Sequence, residues 1–91
     1  MLKKAKSIVA EFLPTGQLLV LNQATERTYI LNESAAFFLL NSDGLTKFQA
    51  IQNYIQNYSK IEPNNQKLST DAEYLYKFFA ESGILEVQFC E

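Results

Sequence analysis

The stretch RTYILNESAAFFLLNSDG, residues 27–44, joins a strand-like segment to an almost wholly apolar, helix-like segment through a single residue. It predicts a β-strand over Arg27–Leu31, a helix over Glu33–Leu40 and a polar turn that ends at Gly44. Asn32 is suited to cap the helix, because its side-chain oxygen can accept an N–H from the first turn, which stabilises a helix by about 1 kcal/mol. The helix has no polar face, so we expect it to be buried on most sides, between a sheet and further helices.

The composition is that of one small globular domain, which we assign to residues 1–91. A hydrophobic fraction of 47% over 91 residues allows a single core and is too high for a disordered chain. With no His and a single Cys, Cys90, we expect neither a metal site nor a catalytic thiol, and no cofactor. No apolar run is long enough to cross a bilayer and residues 1–6 lead into a strand-like segment, so we expect a cytoplasmic protein with no membrane partner.

Two further strands precede this stretch. Ser7–Phe12 alternates in part and predicts a first strand, and Leu13-Pro14-Thr15-Gly16 suits a type I turn. Gln17–Asn22 contains four consecutive apolar residues and predicts a central strand that is buried on both faces. Gln23–Glu26 is a polar connection to the next strand. In the resulting three-stranded antiparallel meander, Arg27–Leu31 is an edge strand.

A second helix is predicted after Gly44. Thr46 and Gln49 form a capping box, in which each side chain accepts the other residue's backbone N–H. The helix runs to about Tyr58, and Pro63, Asn64 and Asn65 predict a loop over residues 60–67. The apolar residues that recur at helical spacing and predict this helix are Phe48, Ile51, Ile55 and Tyr58.

A third helix is predicted to begin at a second capping box, Thr70-Asp71-Ala72-Glu73, and to end before Gly83. Its expected core stripe is Ala72, Leu75, Tyr76 and Phe79. Ile84–Phe89 then predicts a short strand or a packed tail. The fold is therefore α+β and winged-helix-like, with a three-stranded antiparallel meander followed by three helices.

This order and spacing resemble those of PqqD-like proteins. The matching positions are YILNESAAF at residues 29–37, Leu39-Leu40, Asp43-Gly44, Thr46, Ile51, Phe78-Phe79 and Ser82-Gly83-Ile84-Leu85. The resemblance implies a recognition element for ribosomally synthesised, post-translationally modified peptides, which is not itself an enzyme. Such domains hold the leader segment of a precursor peptide as an added strand beside the third helix. They present the peptide to a partner, which is a radical SAM enzyme in pyrroloquinoline quinone assembly or a leader protease in lasso-peptide maturation.

The residues expected to bind a leader peptide lie on the edge strand and on one face of the third helix. They are Arg27, Thr28, Tyr29, Ile30, Leu31, Asp71, Tyr74, Lys77, Phe78 and Glu81. Unpaired backbone groups of an edge strand can pair with a peptide strand, but the sequence leaves open which side-chain face of the strand meets the peptide. Tyr74 and Phe78 lie off the core stripe, so they either line a peptide groove or pack under the C-terminal segment or Tyr58. Arg27 either pairs with an acidic leader residue or is simply solvated.

Two other functions remain to be weighed. A winged-helix DNA-binding regulator would have the same order of elements, but the net charge is −2 and residues 70–82 contain one Lys against three acids, so we expect no nucleic-acid partner. A structural subunit would bind a folded protein and would not require a leader segment. No set of residues indicates general acid–base catalysis.

Overall fold

The computed structural model describes residues 1–88 and contains the predicted α+β order of three antiparallel strands followed by three helices, together with two short additional strands. The elements are β1 Leu2–Lys4, β2 Ile8–Phe12, β3 Leu18–Asn22, β4 Arg27–Leu31, α1 Glu33–Leu40, α2 Lys47–Tyr58, α3 Asn65–Glu81 and β5 Leu85–Val87.

The three-stranded sheet has the order β2-β3-β4, as predicted. Its register places Ala10, Val20 and Tyr29 side by side on one face. The prediction that β3 is buried on both faces is wrong: Leu18, Val20 and Asn22 are buried, whereas Leu19 and Leu21 are half-exposed. The physical reason is that helices cover only one face of this sheet, so β3 shows the alternating burial of a one-sided sheet.

The sequence predicted no strand within residues 1–6, but β1 pairs antiparallel with β5 in a second sheet. The Lys4 N–H donates to Asp43 Oδ1 at 3.1 Å and the Gly44 N–H donates to the Leu2 carbonyl at 2.8 Å. The polar turn after α1 thus holds β1 on the side opposite β5. Of the two alternatives predicted for Ile84–Phe89, a short strand or a packed tail, the structure shows the strand, β5; Phe89 and Cys90 lie outside the described residues.

The first helix forms as predicted, with the Ala35 N–H donating to Asn32 Oδ1 at 2.9 Å. Its centre is deeply buried, and the Phe38 ring stacks on the Phe79 ring of α3 at 6.1 Å between centroids. One flank is not covered: Phe37 is half-exposed and Leu40 is 43% exposed. The expectation of burial on most sides therefore holds only in part.

The capping box of α2 is confirmed by bonds of 3.0 and 3.1 Å between Thr46 and Gln49. The helix buries Ala50, Ile51 and Tyr54, whereas Phe48 is 71% exposed.

The predicted start of the third helix is wrong. Asn64, not Thr70, is the N-cap, and its side chain accepts the Lys67 N–H at 3.1 Å. Thr70 lies inside α3, where its hydroxyl donates to the Gln66 carbonyl at 3.0 Å. Leu68 is buried in the core and packs the first turns of α3 against it. The predicted loop over residues 60–67 is correspondingly shorter.

The C-terminal half of α3 agrees with the prediction. Ala72 and Phe79 are fully buried, and Leu75 and Tyr76 pack partly against the core. Gly83 follows with a φ of +75°, a left-handed conformation that glycine adopts without steric cost. Within residues 1–88, none of the helices combines the length and the hydropathy that crossing a membrane requires.

Candidate functional site

The outer edge of β4 is open, and the register identifies its unpaired groups. The Gln23 N–H donates to the Ser7 carbonyl and the Leu13 N–H donates to the Gln17 carbonyl, so the odd-numbered residues of β3 bond to β2. Hydrogen bonding alternates along an antiparallel strand, so the even-numbered residues of β3 bond to β4. Their partners are Arg27, Tyr29 and Leu31.

The backbone N–H and C=O groups of Thr28 and Ile30 therefore point away from the sheet. No backbone hydrogen bond to either residue is formed from outside the sheet within residues 1–88. These two residues provide the donors and acceptors with which another extended chain could pair.

The side chains of β4 divide between two faces, and the structure shows which of the two meets the core. Leu31 is buried in the core and Tyr29 is half-buried, so the odd-numbered residues face the helices. Thr28 is exposed and Ile30 is 60% exposed on the opposite face. A chain added to β4 would consequently meet the backbone of Thr28 and Ile30, and on the helical face the ring of Tyr29.

The third helix forms a wall beside this edge. The Phe78 ring meets the Tyr29 ring edge-on at 5.6 Å between centroids and also contacts Phe79 at 5.3 Å. Tyr58, the alternative partner considered for Phe78, instead contacts the rings of Phe37 and Tyr54. Phe78 thus links the wall to the strand.

Two cavities lie along α3, and Tyr74 lines both. A cavity of about 240 Å³ is lined by Tyr74, Lys77, Phe78 and Glu81. A second cavity, of about 320 Å³, is lined by Asn32, Ser34, Ala35, Tyr54, Asp71, Tyr74 and Leu75. Because Tyr74 is 69% exposed, its ring projects between the cavities rather than into the core.

The helix and the strand run alongside each other in opposite directions. Asp71 lines the cavity at Asn32, just past the end of β4, and Phe78 contacts Tyr29 in its middle. The seven residue steps from Asp71 to Phe78 on the helix and the three from Tyr29 to Asn32 along the strand both span roughly 10 Å. The two walls are therefore of equal length over this part of the groove. We call the space between β4 and α3, bounded by Tyr29, Tyr74 and Phe78, the β4–α3 groove.

Charges of both signs lie along the groove. The Lys77 and Glu81 side chains are exposed and approach to 4.0 Å, a surface pair that contributes little to stability. Asp71 is half-buried, and Arg27 is exposed at the start of β4 and forms no ion pair within residues 1–88. The predicted residues of α3 thus lie together. On β4, the Leu31 side chain is buried in the core and does not line the groove.

Five residues of the second cavity were not predicted, namely Asn32, Ser34, Ala35, Tyr54 and Leu75. The position of Asn32 and Ser34 could have been deduced, because they follow β4 directly and must lie at the end of its edge. Tyr54 and Leu75 carry no such signal, since only helix packing brings them there. Within residues 1–88, no three potential metal ligands among His, Cys, Asp and Glu lie together.

No protein-family model matches the chain, and no curated protein matches it. Its fold is similar to that of TbiB1, solved in complex with the TbiA(beta) leader peptide, with a TM-score of 0.73 and 13% sequence identity. The similarity covers 97% of this chain and 99% of that chain. At this identity the comparison establishes the likeness of the two folds.

Proposed function

We propose that this protein binds the leader segment of a ribosomally synthesised precursor peptide as an added strand on β4. The observation that carries the proposal is the open backbone of Thr28 and Ile30 beside the cavities of α3. Backbone bonds to these residues supply affinity for any extended chain, and the cavities select the side chains that accompany it.

The residues of the β4–α3 groove take distinct roles in this proposal. The rings of Tyr29, Tyr74 and Phe78 contact apolar leader side chains, since buried aromatic residues commonly dominate the energy of an interface. Arg27, Asp71, Lys77 and Glu81 select polar and charged leader residues around them. Leu31 contributes by fixing β4 on the core.

The fold similarity to TbiB1 supports this proposal, because that protein was solved with a leader peptide. The sequence resemblance to PqqD-like proteins supports it independently. We therefore regard the chain as a PqqD-like recognition element that acts in the cytoplasm. In this proposal it catalyses no reaction itself and delivers the peptide to a radical SAM enzyme or a leader protease.

A DNA-binding regulator shares the winged-helix order but is not favoured by any feature of the site. Helix α3 contains two Lys against three acids, and Lys77 is already close to Glu81. A recognition helix that neutralises phosphates would require an excess of basic residues.

The test is fluorescence anisotropy with a labelled leader peptide from the precursor that is encoded beside this protein, at low and at physiological salt. Saturable binding that changes little with salt is expected, because the backbone hydrogen bonds and aromatic contacts that supply the affinity are not screened by salt. Leader variants with single prolines should bind weakly when the proline falls in the pairing segment, since it removes a donor.

Two results would overturn the proposal. Binding that survives every single proline would exclude strand addition. Failure to bind the leader, together with salt-sensitive binding to duplex DNA, would assign the winged-helix fold to a regulator instead.

A further inference from the structure

The three-stranded sheet has a second open edge, on β2, and a second pocket lies beside it. By the same alternation, Val9 and Glu11 bond to β3, so the backbone groups of Ala10 and Phe12 point outward. Within residues 1–88, no backbone hydrogen bond from outside the sheet reaches either residue. This edge lies on the side of the sheet opposite β4.

The pocket occupies about 230 Å³ between this edge and the uncovered flank of α1. Its lining is Phe12, Gly16, Glu33, Ala36, Phe37, Leu40, Asn41, Asn57 and Tyr58. Phe12 is 61% exposed, and the Phe37 and Tyr58 rings meet edge-on at 5.6 Å. Three aromatic rings thus surround a space that the core leaves unfilled. We call it the β2–α1 pocket.

Among residues 1–88, Glu33 is the only charged residue that lines this pocket. Burial raises the pKa of the Tyr58 hydroxyl above its ordinary value, and the negative charge of Glu33 adds to that shift. The negative charge of Glu33 therefore lies close enough to influence the Tyr58 ring, which forms part of the pocket wall. Asn41 and Asn57 add amide groups to the lining.

The negative charge of Glu33 determines which kind of chemical group the β2–α1 pocket can bind. Glu33 is exposed at the pocket, so a purely apolar group would fill the space but leave the carboxylate without a partner and displace part of its hydration, which is unfavourable. A cation compensates that charge and is attracted to the faces of aromatic rings. Guanidinium suits the site better than ammonium, because it is planar, stacks on rings and offers five donors to carboxylate and amide oxygens.

The neighbouring edge selects the kind of molecule that carries the cation. In an added antiparallel strand, the residue opposite Phe12 has its side chain on the same face of the sheet as Phe12. That face is the one on which α1 packs, so the side chain enters the pocket. We infer that the β2–α1 pocket binds an arginine side chain of a partner polypeptide that pairs in extended form with β2.

The experiment uses the full chain, labelled with ¹⁵N, and a blocked peptide with arginine between valine and threonine residues. Addition of the peptide is expected to produce saturable amide shifts at Phe12, Gly16 and Phe37. Replacing arginine by citrulline keeps the shape but removes the charge, and should weaken binding about tenfold.

Variants of the protein separate the charge from the strand. Glu33→Gln should weaken binding of the arginine peptide about tenfold, whereas Glu11→Gln, on β2 but on the other face of the sheet, should leave it unchanged. Phe12→Ala changes an exposed side chain, so the fold is retained while an aromatic wall is lost.

A third peptide has leucine in place of the arginine. Equal affinities of the arginine, citrulline and leucine peptides would overturn the inference, because the pocket would then bind apolar side chains without regard to charge. Equal affinity in Glu33→Gln, or shifts confined to β4 and α3, would also overturn it. Leader binding in the β4–α3 groove should be the same in Glu33→Gln and in the unmodified protein, so a failure of either proposal leaves the other standing.

Discussion

Tyr74 is the residue at which leader binding can be tested with least disturbance of the fold. Its ring is exposed and lines both cavities, whereas Phe78 also packs on Tyr29 and Phe79. If Tyr74 is an interface hot spot, Tyr74→Ala should weaken leader binding by roughly 2 kcal/mol, about thirtyfold. The free energy of unfolding should change by less than about 0.5 kcal/mol, as for other exposed positions.

The matched control is Phe48→Ala, since Phe48 is an equally exposed aromatic residue on α2, outside the groove. Anisotropy titrations of both variants should show a loss for Tyr74→Ala alone. Equal affinities in the two variants would remove the α3 wall from the proposed site.

Asn22 is the buried polar residue that joins the sheet to the end of α3. Its Oδ1 accepts the Ser7 hydroxyl at 3.0 Å and the Ala24 N–H at 3.1 Å, and its Nδ2 donates to the Ser82 carbonyl at 3.4 Å. Asn22→Ala removes three partly buried hydrogen bonds at once and should lower the free energy of unfolding by about 2–3 kcal/mol. Urea denaturation checks this value, with the exposed Asn65→Ala as control. A loss below about 1 kcal/mol would mean that water replaces the lost bonds.

At the scale of elements, two alanine substitutions near the start of α3 are expected to change the stability of the protein in opposite directions. Asn64→Ala removes the observed N-cap and should destabilise the protein by about 1 kcal/mol. Thr70→Ala should be neutral or stabilising by up to about 0.5 kcal/mol, because alanine is the better helix former and Thr70 is exposed inside the helix. Thermal unfolding of both variants measures the difference. The reverse order of stabilities would indicate that the helix begins at Thr70 in solution.

Elements with strong local signals could be predicted from the sequence, and those that depend on a partner could not. Asn32 and Thr46 cap their helices as expected, because the bonds of a cap close within one turn of the chain. Asn64 and Thr70 both have suitable cap chemistry, and burial of Leu68 decides between them. β1 has only three residues, and it forms because β5 and the Asp43 turn are there to bond it.

At the scale of the whole molecule, the proposed function depends on which backbone groups the sheet leaves open. Ile30→Pro removes an outward N–H without removing a bond to β3, a position at which an edge strand tolerates proline. Leader affinity should fall at least tenfold, since a backbone hydrogen bond is lost and the added strand is hindered.

The control is Ile30→Ala, which keeps the N–H and shortens a side chain on the face opposite the groove. Its leader affinity should equal that of the unmodified protein, and circular dichroism should show folded protein in both variants. Equal affinities of Ile30→Pro and Ile30→Ala would exclude strand addition at this edge.

By itself, the sequence determined the α+β class, the order of three strands and three helices, and the edge position of β4, because alternation, caps and turn residues act over a few neighbouring positions. It also indicated that Asp71, Tyr74, Lys77, Phe78 and Glu81 lie on one helix face. Only the tertiary structure decided that Phe78 meets Tyr29, that Leu31 is withdrawn into the core, and that Thr28 and Ile30 carry the open backbone groups. The reason is that register and helix packing depend on contacts between residues far apart in the chain, and local patterns do not specify those contacts.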